Sequence, residues 1–228
     1  MTIVPPAALV SAASDATAFW CEVAAQIHAF PTARLVQRVD AGNVTIAHYH
    51  AILSTLFHQT QSGPYTFAKA AVHCRWQHPT AKEYLLQHAE EERTHWRWVL
   101  NDLRNTGYVG ACPTTTFPHP SCEAFISYQS CIAEQMPVGR LAMAAVLEGI
   151  GAAFGATRGR KLLVVLGITP KQASFFLSHG ETDKVHTQEL RDVIESCELS
   201  PREWGWMAHS ARIAGQFYRA MYDHEAFA

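Results

Sequence analysis

Apolar residues recur at helical spacing along almost the whole chain, and alternating apolar and polar runs long enough for a sheet are missing. This pattern predicts an all-α fold. The first helix is expected from about Ser14 to Phe30, where Pro31 stops it. A second should begin near Thr45 and end before Ser62-Gly63-Pro64, and a third should cover roughly Tyr65 to Gln77.

The second half of the chain is predicted to hold further helices separated by proline and glycine. A long helix opens at Pro79 and keeps one apolar stripe until Gly107, which suits the position just after a helix end. The segment from Tyr108 to Pro120 is the one long loop. Further helices are expected from about Ser121, after Pro137, from Thr169-Pro170 to about Cys197, and from the capping-box sequence Ser200-Pro201-Arg202-Glu203.

Composition favours a folded protein that acts on small molecules. The chain has 228 residues, 48% hydrophobic and 17% charged, so it can bury one large core, and a single domain over 1–228 is expected. The net charge is −2 and no basic run or basic helix face is present. Nucleic acid and anionic membrane surfaces are therefore not expected partners, and a small-molecule substrate is.

Cysteine usage and the N-terminus indicate a cytoplasmic protein. The six cysteines form no C-x-x-C pair, so a zinc ribbon or a thioredoxin motif is not expected. The sequence MTIVPPAALV lacks the basic and long apolar segments of a secretion signal. No apolar stretch is expected to reach the roughly 20 residues that span a bilayer.

The strongest local motif is His179-x-x-x-Asp183-x-x-His186. Positions i, i+4 and i+7 lie within a narrow arc of a helix, so the three side chains point the same way. Two imidazoles and a carboxylate suit iron, manganese or zinc, whereas calcium and magnesium prefer more oxygen ligands. A solvated polar face is the alternative for this motif alone.

A second group of ligand-type residues lies in the long helix after Pro79. His88, Glu91, Glu92 and His95 share one side of this helix, and Glu92-x-x-His95 has the spacing found in carboxylate-bridged di-iron helices. A solvated surface is again the alternative.

Glu148 is a third candidate because its sequence neighbours are apolar or small on every side. Burying an unpaired carboxylate costs several kcal/mol, so this side chain needs a metal, a cationic partner or a proton. Glycines 149, 151 and 155 just after it permit close helix approach or a kink. Together the three helices can surround one site with two metal ions.

This order of a Glu/His helix, a lone glutamate on an apolar helix and an H-x-x-x-D-x-x-H helix resembles the haem-oxygenase-like di-iron oxidases and oxygenases. These are relatives of the TenA and PqqC proteins and include the chlamydial death-domain-associated protein. The stretch from His28 to Thr45 resembles their first two helices, and the run from His88 to Leu103 resembles their first ligand helix. The resemblance implies a haem-oxygenase-like bundle of about seven to eight helices.

The resemblance also implies a function: two non-haem iron ions, or manganese, that activate dioxygen against an amino-acid or fatty-acid derivative in a biosynthetic pathway. It assigns His95, Glu148, His179, Asp183 and His186 as ligands. Members often carry a glutamate seven residues before the first histidine, where this chain has His88.

The first-helix carboxylate is thus expected from Glu92 or Glu91, with His88 either a ligand or a hydrogen-bond donor to one. Glu92 is favoured because Glu148 and Asp183 alone would leave two divalent ions strongly undercompensated in a low-dielectric core.

Three other interpretations remain open. A metal-free enzyme resembling TenA needs a nucleophilic cysteine in the pocket, and Cys131 precedes the expected segment, Leu141 to Gly149. A haem-binding oxygenase would use His28 as its proximal ligand. A non-catalytic interaction module would present exposed aromatic residues, namely Trp96, Trp98, Trp204, Trp206 and Phe217, although at helical spacing these are typical of a core.

The low charge density and the six tryptophans predict a homodimer, because they imply more apolar surface than a monomer of this size usually exposes. Sedimentation at micromolar concentration is expected to give twice the mass of the chain. A monomeric mass would contradict the prediction.

Overall fold

The chain forms a bundle of α-helices in the computed structural model, which describes the backbone of residues 6–74 and 77–228 and the side chains from residue 15 onward, apart from 75–76. Within these residues there is no strand, so the all-α prediction is confirmed. The helices are α1 (Pro6–Ala29), α2 (Arg34–Ala41), α3 (Ile46–His73), α4 (Pro79–Glu92), α5 (Trp96–Asn105), α6 (Pro120–Gln135), α7 (Val138–Ile150), α8 (Ala156–Leu166), α9 (Ser174–Ser196) and α10 (Pro201–Met221).

Helix α7 lies at the centre of the bundle. Every residue of α7 except Leu147 is buried. Its alanines and glycines keep the helix narrow, so that α1, α6, α9 and α10 all pack against it. Helices α4 and α5 are separated only by a short turn, and α7 and α8 are joined by a π turn. If each of these two pairs is counted as one helix, the described residues form eight, which agrees with the expected seven to eight. The expectation of one domain over 1–228 stays a prediction.

The second and third expected helices are one continuous helix, α3, which passes through Pro64. Proline inside a helix usually costs about 3 kcal/mol, since it removes a donor and clashes with the preceding turn. Gly63 has no Cβ to clash with the proline ring, and buried side chains on both sides, such as Phe57 and Phe67, pack into the core. Packing therefore overrides the expected stop; Arg75 and Trp76 lie outside the described residues.

The long helix expected from Pro79 to Gly107 is interrupted. Residues 93–95 form a turn in which His95 N donates to Glu92 O at 3.2 Å and Trp98 N donates to His95 O at 3.0 Å. These bonds to the third residue back wind the chain more tightly than an α-helix does. The sequence led us to expect His95 and Glu92 on the same helix, and this expectation is wrong: Glu92 ends α4 and His95 lies in the turn after it.

The predicted helix ends at three other places are confirmed. Thr45 caps α3 in a capping box with His48, and Ser200 caps α10 in a capping box with Glu203. Gly107 has a positive φ of 72° just beyond α5, a conformation that glycine adopts without strain.

Helix α9 begins in an unexpected way. Thr169 caps only a short 3₁₀ turn, and the N-terminus of α9 is capped by Asp102 from α5. The fully buried Asp102 carboxylate accepts hydrogen bonds from Ser174 N at 2.9 Å and Phe175 N at 2.8 Å. A carboxylate at a helix N-terminus satisfies free amides and is favoured by the helix dipole.

Close backbone contact holds α9 against the π turn Gly151–Gly155, which joins α7 to α8. A Cβ added at Gly180 would overlap the backbone nitrogen of Ala156 and lie 2.9 Å from the carbonyl carbon of Gly155. A Cβ added at Gly151 would overlap the carboxylate of Asp183. The glycines thus permit the close approach that the sequence suggested.

One helical stretch, Val138–Leu166, is long and apolar enough to cross a membrane by length and composition, contrary to our expectation from the sequence. Of its most apolar window, 67% is buried inside the protein, which is usual for a core helix. The N-terminal segment 1–10, from which no secretion signal was expected, lies outside the residues whose side chains are described.

Gly180→Ala is expected to lower the free energy of unfolding by about 1–3 kcal/mol, because the new methyl group meets backbone atoms that cannot move aside. Urea denaturation measures this change. Gly205→Ala is the matched control: Gly205 lies on an exposed face of α10 with nothing within 4 Å of the added Cβ, so alanine should stabilise by about 0.5–1 kcal/mol. Equal effects in the two variants would contradict the close contact.

Candidate metal centre

All seven residues expected as ligands meet between α4, α7 and α9. Five of them lie in two clusters of ligand atoms within 4.8 Å of one another: His88 and His186 with Glu91, the alternative carboxylate of the first ligand helix, and Glu92 with His95 and His179. Glu148 and Asp183 adjoin these clusters. The three separate motifs of the sequence therefore converge on one place.

Glu92 is the centre of the cluster with His95 and His179. Its Oε2 lies 2.7 Å from His95 Nδ1 and 3.5 Å from His179 Nε2. The other nitrogen of His179 lies 3.0 Å from Asp183 Oδ1. The tight turn at 93–95 makes this arrangement possible, because it swings His95 back toward the last residue of α4.

His88 is the centre of the other cluster. Its Nε2 lies 3.1 Å from Glu148 Oε1, and its ring packs edge-on against His186 with centroids 4.6 Å apart. Glu91 Oε2 lies 3.4 Å from His186 Nε2 and 3.8 Å from His88 Nδ1. Glu91 is more exposed than Glu92, at 38% against 11% of the side chain, so it lies at the outer edge.

The donor set fits metal ions. Three buried ligand atoms have no hydrogen-bond partner among the described residues: His88 Nδ1, Glu148 Oε2 and His186 Nδ1. Two imidazole nitrogens, His95 Nδ1 and His179 Nε2, approach to 3.2 Å beside one carboxylate oxygen. Buried polar atoms are normally paired, and converging lone pairs are stabilised by a shared cation.

The buried charges shift one another's pKa values. Burial alone would raise the pKa of Glu92, but His179 and His95 hold it well below its usual range. Burial opposes protonation of His179, yet Asp183 and Glu92 raise its pKa well above the usual value. Because a metal ion binds the neutral imidazole, these carboxylates make metal binding at His179 compete with protonation.

Glu148 and His88 form a similar pair. Burial raises the pKa of Glu148, although His88 opposes the change. Burial lowers the pKa of His88, but Glu148 outweighs this effect and the net shift is upward. Such opposed shifts are typical of functional sites and of metal sites without their ion.

A cavity of about 130 Å³ opens beside the two clusters. Five of the candidate ligand residues line it: His88, Glu92, Glu148, His179 and Asp183. The rest of its wall is mostly apolar and includes Leu35, Val36, Val39, Val44, Ile52, Phe67, Leu147, Phe154, Leu162, Phe175 and Phe176. The space suits a small, largely apolar molecule next to the candidate metals.

Two neighbours of the site were not singled out from the sequence. Arg140 is buried and lines the cavity, and the Tyr84 ring stacks on His88 with centroids 5.2 Å apart. The sequence contains a feature that could have pointed to Arg140: it and Glu148 are the only charged residues in the apolar stretch 138–154. No such feature points to Tyr84, because its position in the apolar stripe of α4 is that of an ordinary core residue.

The structure bears on the other interpretations of the sequence. His28, the candidate haem ligand, is exposed and bonds to Ala24 O at 2.8 Å. Cys131 is exposed, and no cysteine is among the described residues that line the cavity. Trp204 is buried, and the other aromatic residues proposed for a partner surface pack against the core: Trp96, Trp98, Trp206 and Phe217.

The sequence model of one family, described as iron-containing redox enzymes, matches residues 55–218, which include all seven candidate ligands. The chain belongs to this family. No curated protein matches the sequence. Family membership thus agrees with a redox function that depends on iron.

Solved structures confirm the haem-oxygenase-like fold. A domain of unknown function from Shewanella denitrificans OS217 has a TM-score of 0.82 at 19% identity, covering 90% of this chain and 89% of that one. A TenA homologue from Pseudomonas syringae pv. tomato DC3000 has 0.75 at 13%, covering 91% and 90%. Haem oxygenase from Leptospira interrogans has 0.68 at 12%, covering 92% and 98%. At these identities the likeness concerns the fold alone.

Glu92→Ala is expected to weaken Fe(II) binding by more than about 100-fold, and to weaken it more than His88→Ala does. Glu92 touches the imidazoles of both clusters, with Oε1 4.0 Å from His186 Nδ1, whereas His88 touches one carboxylate closely. Anaerobic titration of the metal-free variants with Fe(II) measures both affinities.

The matched control is Glu90→Ala on the same helix, since Glu90 is exposed and, among the described residues, forms an ion pair only with Arg93. Its Fe(II) affinity should equal that of the wild type. Loss of a metal in His88→Ala together with full binding in Glu92→Ala would show that the histidine, and not the glutamate, is the essential ligand of α4.

Proposed function

We propose that this protein is a non-haem di-iron oxidase or oxygenase that uses dioxygen as co-substrate to oxidise a small organic molecule. The observation that carries the proposal is the pair of adjacent clusters of carboxylates and imidazoles, with three unpartnered buried ligand atoms, on the wall of an apolar cavity. Membership of an iron-containing redox family supports iron as the metal.

The charges of the ligand residues support two ions. Glu92, Glu148 and Asp183 supply three negative charges in the interior, and Glu91 adds a fourth at the edge. Four carboxylates offset the four positive charges of two divalent cations. Imidazole and carboxylate together suit iron, and manganese is the alternative metal for the same ligands.

Glu92, His95, His179 and Asp183 would hold one ion, and His88, Glu148, His186 and Glu91 the other. Iron bound there supplies the electrons that activate dioxygen. The protein's own contribution would be to exclude water and to position the substrate: Phe67, whose ring lies 4.4 Å from that of His88, and Leu147 are apolar parts of the cavity wall. A dry wall of this kind protects reactive species from side reactions.

The substrate class follows from the resemblance described above, and an amino-acid or fatty-acid derivative is proposed. The homodimer and the cytoplasmic location stay predictions.

Iron is expected to co-purify with the wild-type protein grown with added iron, at up to two ions per chain. His179→Ala or His186→Ala should remove most of it while the far-ultraviolet circular dichroism stays helical. His28→Ala is the matched control, because His28 is an exposed histidine away from the cavity. Its iron content should not change.

Elemental analysis measures the metal, and an absorption spectrum separates non-haem iron from haem. Full metal content in both His179→Ala and His186→Ala would overturn the assignment of α9. A Soret band that disappears in His28→Ala would favour a haem protein instead.

A further inference from the structure

Arg140 is a buried cation inside the apolar core. Its side chain is 2% exposed, and its guanidinium carbon lies 3.5 Å from the centroid of the Phe67 ring. Nε donates to Thr66 Oγ1 at 3.0 Å. Nη1 is buried and has no hydrogen-bond partner among the described residues. One side of the guanidinium is therefore fixed by Thr66, while Nη1 has no acceptor among the described residues.

The carboxylates nearest to Arg140 are directed elsewhere. Glu148 Oε1 faces His88 and Glu92 Oε2 faces His95, and no carboxylate of the described residues lies within 4 Å of the guanidinium nitrogens. Burial lowers the pKa of Arg140 to about 10, and Glu148 and Glu92 oppose the decrease, so the group is charged at neutral pH. Burying a charge without a close partner is unfavourable, and a bound ligand that accepts hydrogen bonds from the guanidinium would offset this cost.

Arg140 also lines the cavity beside the metal clusters. Along α7, the π turn and α8 the cavity wall is formed in sequence order by Arg140, Ala144, Leu147, Glu148, Ile150, Gly151, Phe154, Gly155, Arg158 and Leu162. The cavity therefore follows one side of this helical stretch. Eight residues of α-helix span about 12 Å, so Arg140 lies roughly that far along the axis from Glu148. The wall beyond Glu148, toward Leu162 and α2, is mainly apolar.

The electrostatic balance of the site favours an anion. Glu92, Glu148, Asp183 and the partly exposed Glu91 all face imidazoles of the two clusters, so that, with or without metal ions, no carboxylate of the described residues pairs closely with the charge of Arg140. A single carboxylate would neutralise it, and its two oxygens match the fork of the guanidinium.

We propose that Arg140 is a specificity-determining residue that binds a carboxylate of the ligand, whose apolar body then extends along the cavity past Glu148 toward Phe154 and Leu162. The inference rests on the proposed function only where it calls this ligand the substrate. Arg140 does not act on the reacting atoms; it sets which molecules bind and in which direction they lie.

Metal-free protein, prepared with a chelator, tests the assignment without contributions from metal coordination. The probes are hexanoate and hexan-1-ol, which share a chain and differ in the carboxylate. Saturation-transfer NMR should show that wild type binds hexanoate about tenfold more tightly than hexanol, because hydrogen bonds to charged groups are strong. Arg140→Gln should bind both alike, with hexanol affinity unchanged.

Arg158→Gln is the matched control. Arg158 lines the same cavity but already pairs with Asp40 through two bonds of 2.7 and 3.1 Å, so its loss should leave the preference for hexanoate intact. Equal binding of the two probes by wild type would overturn the proposal. So would a preference that survives in Arg140→Gln, or one that Arg158→Gln loses to the same extent.

A second measurement keeps the test valid if Arg140→Gln fails to fold. In ¹⁵N-labelled wild type, the Nε–H signal of Arg140, assigned by its disappearance in Arg140→Lys, should shift with hexanoate and not with hexanol. No shift with hexanoate would contradict the site. Iron content of the purified protein decides the proposed function separately: a protein without iron that still shows the Arg140 effect would keep this inference and lose the di-iron proposal.

Discussion

The structure depends on how an apolar bundle accommodates a dense group of charged and polar side chains in its interior. Burying each carboxylate without compensation would cost several kcal/mol, which is a large share of the stability of an ordinary domain. Contacts among the group, such as the hydrogen bond between His95 and Glu92 and the ion pair of His179 with Glu92, offset part of that cost. They leave Glu148 Oε2, His88 Nδ1 and His186 Nδ1 without a hydrogen-bond partner among the residues that the structure describes. The metal ions proposed above would satisfy these donors, and the fold holds the donors in place without them.

Two long-range contacts hold α9 in the required position. Asp102 caps the helix at its N-terminus, five residues before His179, and the Gly180 contact sets its distance from the π turn. Both contacts involve backbone atoms, which cannot adjust as a flexible side chain can. Any shift of α9 would move its three ligands together, so the geometry of the site is coupled to these two packing contacts.

Much of this site could be predicted from the chain. The spacing of His179, Asp183 and His186 survives folding because all three belong to one regular helix. Glu148 could be placed inside because every sequence neighbour is apolar or small. The predictions of helix ends were wrong where packing against distant residues overrides the local sequence signal. Pro64 does not end α3, and the helix that begins at Pro79 is interrupted after Glu92. The cap from Asp102 joins residues about seventy positions apart, and no local pattern indicates such a pairing.

The π turn between α7 and α8 has a consequence for the shape of the cavity. Hydrogen bonds to the fifth residue back enclose one residue more than those of an α-helix, so the chain gains one residue without a change of direction. In a regular helix one residue corresponds to about 100° of rotation. The π turn therefore shifts the rotational register of α8 relative to α7. The direction of the Glu148 side chain follows the register of α7, and the directions of Phe154 and Leu162 depend on the residues of the π turn. A single deletion within 151–155 would keep the helical stretch continuous but rotate α8 relative to α7. The cavity wall facing α2 would then be made of different side chains.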